Sequence, residues 1–405
     1  MRLFLSLIAL ALFAPLASAE EPKPAPRVVG YFTEWGIYQR KFDVSAIPAA
    51  KLTHVNYAFA KIVNGECALF DSYAAIDKAY PGDTWEPGVL RGNFKQLQLL
   101  KKKHPHLKTL ISVGGWTLSG PFSDLAVTDE GRKKFAKSCV AFMLKYGFDG
   151  VDIDWEYPGG GGLETNKTRP EDKQNYTLLL AELRAQLDVQ GKTDKRAYLL
   201  TIAAPAGPKT FANLELDKVH KHLDWLNLMS YDFHGGWSDA TNFNAALFPA
   251  KADPTKDEVI RTKFNVSAAV TAYLAAGVPA EKLVMGVPFY GRGWSGVKPA
   301  GDGMFQVHNK QLPQGTWEAG VFDYKDIAAN YLGKRGKRFW HDEAKVPWLF
   351  DAQTGLVISY DDPESLKLKA EYARDKKLGG VMIWELSADD AKNSLLDALH
   401  AGLKK

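Results

Sequence analysis

Apolar, β-rich runs recur along the chain at 28–32, 53–59, 108–113, 150–154, 199–203, 225–230, 283–289 and 380–384. Between them lie stretches whose apolar residues return at helical spacing, as Leu179, Leu180, Leu183 and Leu187 do within 173–187. Strands alternating with helices predict βαβ units and a parallel sheet. Eight such units predict a closed barrel, whose reactive residues sit at the C-terminal ends of its strands. A doubly wound open sheet is the competing fold, but no Gly-rich phosphate loop follows any strand. The gap from Phe289 to Gly380 exceeds what one crossover helix needs. It holds strand-like pieces at 293–294, 320–324, 338–340, 348–350 and 356–360. The expected architecture is therefore an α/β, (β/α)8 TIM barrel over 27–405, with a small α+β domain, 292–359, inserted between its seventh and eighth strands.

The first residues stand apart from this pattern. Arg2 precedes a short apolar run over 3–13, and Ala17, Ser18 and Ala19 fit a small-residue cleavage site, so 1–19 is read as an export signal. The run is shorter than the ~20 residues a membrane-spanning helix needs, which favours cleavage over anchoring. Residues 20–26 form a Pro-rich lead. The expectation is an exported protein, extracellular or periplasmic, with no membrane attachment after cleavage. A formal charge of +4 and the lack of a long Lys/Arg run do not suggest a nucleic-acid partner. Cys67 and Cys139 could pair in an oxidising compartment. Cys139 lies, however, in an apolar helical pattern with Phe135, Val140, Phe142 and Met143, and two free thiols are the preferred reading.

The candidate chemistry lies between Phe148 and Pro158. In an extended strand alternate residues share a face. Asp152, Asp154 and Glu156 therefore point one way, and Val151, Ile153 and Trp155 the other, with same-face neighbours roughly 6.6 Å apart. The apolar set suits outer helices, which places the acids inside the barrel or at its mouth. Three carboxyls on one buried face cannot all ionise cheaply, because desolvation and mutual repulsion both favour protonation. A proton held among them is what a glycosidase needs to protonate a leaving oxygen near neutral pH. Glu156, at the strand tip, is the candidate acid. A solvated acidic edge strand is the alternative, and the flanking apolar residues speak against it. Clustered carboxylates also suit Mg²⁺ or Ca²⁺, but no EF-hand loop or His-rich ligand set accompanies the run. No metal and no other cofactor is expected.

The run Asp149, Gly150, Val151, Asp152, Ile153, Asp154, Trp155, Glu156 resembles the DGxDxDWE signature of family 18 glycoside hydrolases, the chitinases. The resemblance continues along the chain. Gly30, Tyr31, Phe32 and Trp35 resemble the first strand and its loop; Asn56 to Ala60 the second strand; Ser112, Gly114, Gly115 and Trp116 the SxGG motif of the third. Met229 to Asp232 are similar to the sixth, Gly286 to Arg292 to the seventh, and Gly379 to Glu385 to the eighth. The inserted domain resembles that of bacterial members with deep clefts.

This resemblance implies a monomeric enzyme that cuts β-1,4-linked N-acetylglucosamine in chitin and chitooligosaccharides. It also implies retention of configuration through attack by the substrate's own 2-acetamido oxygen, an exception to the two-carboxylate scheme. By the same resemblance Glu156 is acid and then base, Asp154 orients the acetamido group, Asp152 supports Asp154, and Tyr231 donates to the acetamido carbonyl. Trp384 would floor the subsite of the distorted sugar. Trp116 and Trp237 would stack sugars on the leaving-group side, and Trp35 one on the other, since pyranose C–H faces suit aromatic rings. Tyr31, Phe59, Gly115, Met229, Asp232, Tyr290 and Arg292 would line the cleft, with Trp317 and Glu318 contributed by the insert.

Two further readings remain at this point. One is an inactive chitin-binding lectin, but such lectins usually lack the terminal acid that Glu156 supplies. The other is an endo-β-N-acetylglucosaminidase acting on N-linked glycans, which a wall domain and an aromatic groove suit less well. The glycine run 159–162 lacks the Lys-Ser/Thr of a P-loop and reads as a loop at the cleft mouth. Asn166, Asn175 and Asn265 head glycosylation-type triplets that carry no functional weight.

Overall fold

The structure, a computed structural model, describes residues 25–404. The expected export signal and residues 20–24 of the Pro-rich lead lie outside the described residues. β1 (Arg27–Thr33) is followed by β2 (His54–Val63), which folds back as β3 (Glu66–Leu69). Then come β4 (Lys108–Gly114), β5 (Gly150–Asp154), β6 (Leu199–Pro205), β7 (Trp225–Met229) and β8 (Leu283–Pro288). A second sheet follows, made of β9 (Tyr290–Trp294), β10 (Val321–Asp323), β11 (Lys337–His341), β12 (Val346–Asp351) and β13 (Leu356–Ser359), before β14 (Gly380–Trp384) returns to the first.

The eight barrel strands run in parallel in the order β1-β14-β8-β7-β6-β5-β4-β2, and β2 pairs with β1 to close the ring. The predicted (β/α)8 TIM barrel is the observed fold. Each predicted strand is present, with β2 the main departure in length. It runs on to Val63 because Asn64 and Gly65, both at positive φ, turn it into the hairpin with β3. An Asn-Gly pair between extended runs is the usual two-residue hairpin turn, and the sequence reading passed over it.

The outward faces of the strands account for the helices. Val151, Ile153 and Trp155 join the large core between barrel and helices. Trp155 stacks on Phe122 at 5.3 Å and meets Tyr176 edge-on at 5.2 Å. Tyr176, Leu179, Leu180, Leu183 and Leu187 form the buried stripe of helix Asp172–Asp194, each large apolar side chain contributing about 1.5–3 kcal/mol. Helix Asp129–Tyr146 starts at Thr128, whose side chain accepts from the Gly131 N–H, and ends at left-handed Gly147. Cys139 on this helix and Cys67 on β3 are both buried, free thiols.

The insert is antiparallel, in the order β10-β9-β13-β12-β11. Trp294, Val346, Trp348, Phe350 and Val357 give it a core of its own, shared with Phe243 from the long connection after β7. Its helical part is short, at Tyr324–Asp326 and Ile327–Tyr331. The sheet begins at Tyr290, two residues ahead of the expected boundary, because Tyr290 already pairs with Asp323. Among the described residues no helix is long and apolar enough to cross a membrane.

Candidate active site

β5 aims two acids into the barrel, and the register of its neighbours decides what they meet. Ser112 of β4 and Thr201 of β6 are the direct partners of Asp152. Both donate to it, Ser112 to Oδ2 at 2.7 Å and Thr201 to Oδ1 at 2.5 Å. Tyr31, from β1 across the barrel, donates to Oδ2 at 2.8 Å, and Asn227 of β7 to Oδ1 at 3.3 Å. Four donors on two oxygens are the surroundings of an ionised carboxylate. Burial nevertheless outweighs them and leaves the Asp152 pKa raised.

Asp154 is placed differently. It is equally enclosed, yet among the described residues its Oδ1 has no hydrogen-bond partner. Burial, then the charges of Glu156 and Asp152, push its pKa well above the usual carboxylate range. Glu156 lies two residues beyond it, past the end of the strand. Burial, with Asp232's charge adding to it, raises the Glu156 pKa to about 7. All three carboxyls are thus shifted toward protonation, and they differ in their partners: Asp152 at the bottom is met by four donors, whereas Asp154 above it has an oxygen that none of the described residues meets. Asp149, at the foot of the same strand, is far from this chemistry in function: it pairs with Lys101 at 2.6 Å and Arg196 at 2.6 Å. The lone pairs of Asp152 are occupied by donors. Among the described residues no group of three or more His, Cys, Asp or Glu side chains is arranged to hold a metal ion.

Around the acids the structure gathers most of the expected ring residues. Trp384, half-buried at the tip of β14, stacks on Phe59 at 5.8 Å and leans on Tyr31 at 5.4 Å. Trp35 also meets Phe59, tilted, at 6.2 Å. Gly115 turns against Phe59, where a Cβ would come within 2.7 Å of the ring. Tyr231, Met229 and Trp384 pack against the inner cluster that includes Tyr31, Phe59 and Met382, and the Tyr231 hydroxyl faces the Met382 sulfur at 3.8 Å. Tyr31 is buried to 1% exposure beneath the site and donates its hydroxyl to Asp152.

The seventh strand continues into β9 and supplies a second anchor. Asp232 accepts from Tyr290 at 2.7 Å and from Arg292 through two bonds of 2.8 Å. Arg292 then lies 5.1 Å from the ring of Trp237, a tryptophan that is 59% exposed. Trp116 and Trp317 are likewise exposed, and Glu318 sits beside Trp317 with its charge felt by Arg292.

The family profile of "Glycosyl hydrolases family 18" matches residues 27–389. The chain belongs to that family. This family 18 hydrolase is 45% identical to chitinase A1 of Niallia circulans, over 96% of the chain and 60% of that relative's length. The chain thus spans less than two thirds of that relative. Chitinase ChiA74 from Bacillus thuringiensis superimposes with a TM-score of 0.89 at 43% identity, covering 94% of this chain and 70% of that one. The Group IV chitinase of Ostrinia furnacalis, solved in complex with allosamidin, superimposes at 0.82 with 34% identity, covering 93% and 98%.

Several residues of the family 18 site escaped the sequence reading. Ser112 was quoted only within a motif, while Thr201 and Asn227 were not singled out. Their signal is available for two of them: Thr201 and Asn227 are each the lone polar residue of an otherwise apolar strand. Glu385 enters the sequence analysis only as the end of the eighth-strand motif, and Arg40 and Asp323 carry no signal there. Arg40 bridges Glu385 at 3.0 Å and Asp323 at 3.4 Å, and Asp323 accepts from the Trp317 indole at 2.8 Å. This chain of contacts ties the insert's exposed tryptophan to the residue after Trp384. Nothing local in the sequence announces it.

Proposed function

We propose that this glycoside hydrolase is an exported, monomeric chitinase that hydrolyses β-1,4 linkages of chitin and chitooligosaccharides with retention of configuration. The observation that carries the proposal is the contrast between Asp152, saturated with four donors, and Asp154, buried with an unpartnered oxygen beside Glu156. An unpaired polar atom in a closed site costs about 1–3 kcal/mol, and the acetamido N–H of N-acetylglucosamine is a donor of the right kind to satisfy it. Substrates of the chitin type also agree with the names of the relatives and with the allosamidin bound to one of them.

Glu156, protonated near neutral pH, gives its proton to the glycosidic oxygen as the C1–O bond breaks. The acetamido carbonyl oxygen attacks C1 from the opposite face and closes an oxazolinium ring. Tyr231, whose hydroxyl proton meets no oxygen acceptor among the described residues, donates to that carbonyl and holds it for attack. As positive charge grows on the acetamido nitrogen, the proton held by Asp154 passes to an Asp152 oxygen from which a donating hydroxyl turns aside, Asp154 faces the nitrogen as the anion, and the proton returns to Asp154 when the ring opens. Glu156, now a carboxylate, takes a proton from water, whose oxygen adds to C1 and opens the ring. Trp384 floors the subsite, while Trp116, Trp237, Trp35 and Trp317 offer faces to sugars along the cleft, and Met229, Phe59, Gly115, Tyr290, Arg292 and Glu318 shape its walls.

Glu156→Gln tests the assignment. It removes the proton while keeping the shape, and hydrolysis of chitohexaose is expected to fall by at least about a thousandfold with binding retained. Turnover within a few-fold of wild type would refute Glu156 as the acid.

A further inference from the structure

β5 makes its last sheet pairing at Asp154, so the backbone that carries Glu156 has left the ladder. Buried peptide groups need partners, and here side chains from two loops provide them. The Glu156 N–H donates to Ser119 Oγ at 2.9 Å, and Asn166 Nδ2 donates to the Glu156 carbonyl at 3.1 Å. Ser119, 1% exposed, has its hydroxyl within reach of the Gly115 carbonyl at 2.9 Å and the Asp154 carbonyl at 3.1 Å. The Gly115 N–H donates to the same Asp154 carbonyl at 2.8 Å. Both loops press on this backbone without room for a side chain. A Cβ on Gly114 would fall 2.2 Å from the Asp154 oxygen, and one on Gly162 would fall 2.0 Å from the Glu156 oxygen.

We infer that Ser119 and Asn166 are positioning residues for Glu156: they hold the peptide groups before and after it and so keep its carboxyl where the leaving oxygen arrives. The inference rests on the reading of Glu156 as the acid. Ser119 is sealed from the cleft and acts only through Glu156. Asn166 heads the triplet Asn166, Lys167, Thr168, but its amide is committed to the acid's backbone. A displacement on the order of 1 Å at a reacting group costs roughly a hundredfold in rate, and losing either grip frees the residue that sets the acid's height.

The test compares two leaving groups. A sugar alkoxide needs full protonation as it leaves, whereas a nitrophenolate leaves with little help from the acid. Ser119→Ala, Asn166→Ala and Asn166→Asp are measured on chitotetraose and on nitrophenyl chitobioside, together with melting temperatures and Glu156→Gln. Each positioning variant is expected to lose roughly ten- to a hundredfold in kcat on chitotetraose, with KM within about threefold and less than about fivefold loss on the aryl substrate. Asn166→Asp keeps the volume but turns an acceptor toward a carbonyl, and is expected to lose at least as much as Asn166→Ala. Equal losses on both substrates, or none on chitotetraose, would overturn the inference. The half-buried Asn166 variants carry the test even if Ser119→Ala fails to fold. An active Glu156→Gln would instead overturn the parent reading, so the two failures are distinguishable.

Discussion

Thr201→Val isolates the charge state of Asp152. Valine keeps the shape of threonine and removes one donor, the hydroxyl 2.5 Å from Asp152 Oδ1, between two fully buried residues. A hydrogen bond to a charged group contributes about 1.5–3 kcal/mol. The folded-state pKa of Asp152 already lies above its unfolded value, so ionising it in the folded protein costs stability as pH rises. Thr201 reduces that cost, because it favours the ionised form. Removing it moves the pKa further up. The variant therefore loses its ~1.5–3 kcal/mol only at pH values where Asp152 is ionised, and the loss fades as the pH falls and the carboxyl is protonated in both states. For a barrel of this size the loss at neutral pH corresponds to a melting-temperature drop of roughly 2–4 °C. The same energy, expressed in where the proton sits between Asp152 and Asp154, lowers kcat by about ten- to a hundredfold. Thermal unfolding followed by circular dichroism at pH 7.5 and in mild acid reads the first effect, and chitotetraose turnover the second. An equal destabilisation at both pH values would refute the reasoning, because it would mean that Thr201 contributes packing and Asp152 carries no charge.

Other consequences follow from the same site. Glu156 must be protonated to act, so kcat/KM is expected to fall as pH rises through its pKa of about 7; Asp232→Asn removes a charge that raises this pKa and should shift that limb to lower pH by on the order of half a unit, whereas a limb that stays or moves up contradicts the assignment. Trp384→Ala takes away the floor of the reacting subsite and should lower kcat/KM on chitotetraose by about a hundredfold. Trp237→Ala removes only an exposed face held by Arg292, and should raise KM with kcat within about threefold; the reverse ordering of the two variants would show that the subsites are misplaced.

The fold was legible in the sequence because barrel strands are local signals. Runs such as Leu283 to Phe289 and Gly380 to Trp384 are apolar on both faces, as strands covered by helices outside and packed against one another inside must be. The alternation of acids and apolar residues through Val151 to Glu156 reported its own geometry, since the side-chain period of a strand is two. What could not be read was who meets whom across the ring. Tyr31 and Asp152 are joined only because β1 and β5 close into one interior, and Asn227 reaches Asp152 from a strand two places away. The hold of Ser119 and Asn166 on Glu156 depends on how two loops fold back, which no periodicity encodes. The hairpin at Asn64 and Gly65 is a local signal too, and it carries β2 four residues past the run that ends at Phe59.

The stereochemistry of the first-formed product tests the central claim most directly. In a proton NMR time course of chitotetraose hydrolysis, begun before mutarotation equilibrates the ends, the new reducing end should appear as the β-anomer. That outcome is required if the acetamido oxygen attacks first and water, activated by Glu156, attacks second. A first-formed α-anomer would mean that water displaces the leaving sugar in one step, and would contradict the roles given to Asp152, Asp154 and Tyr231.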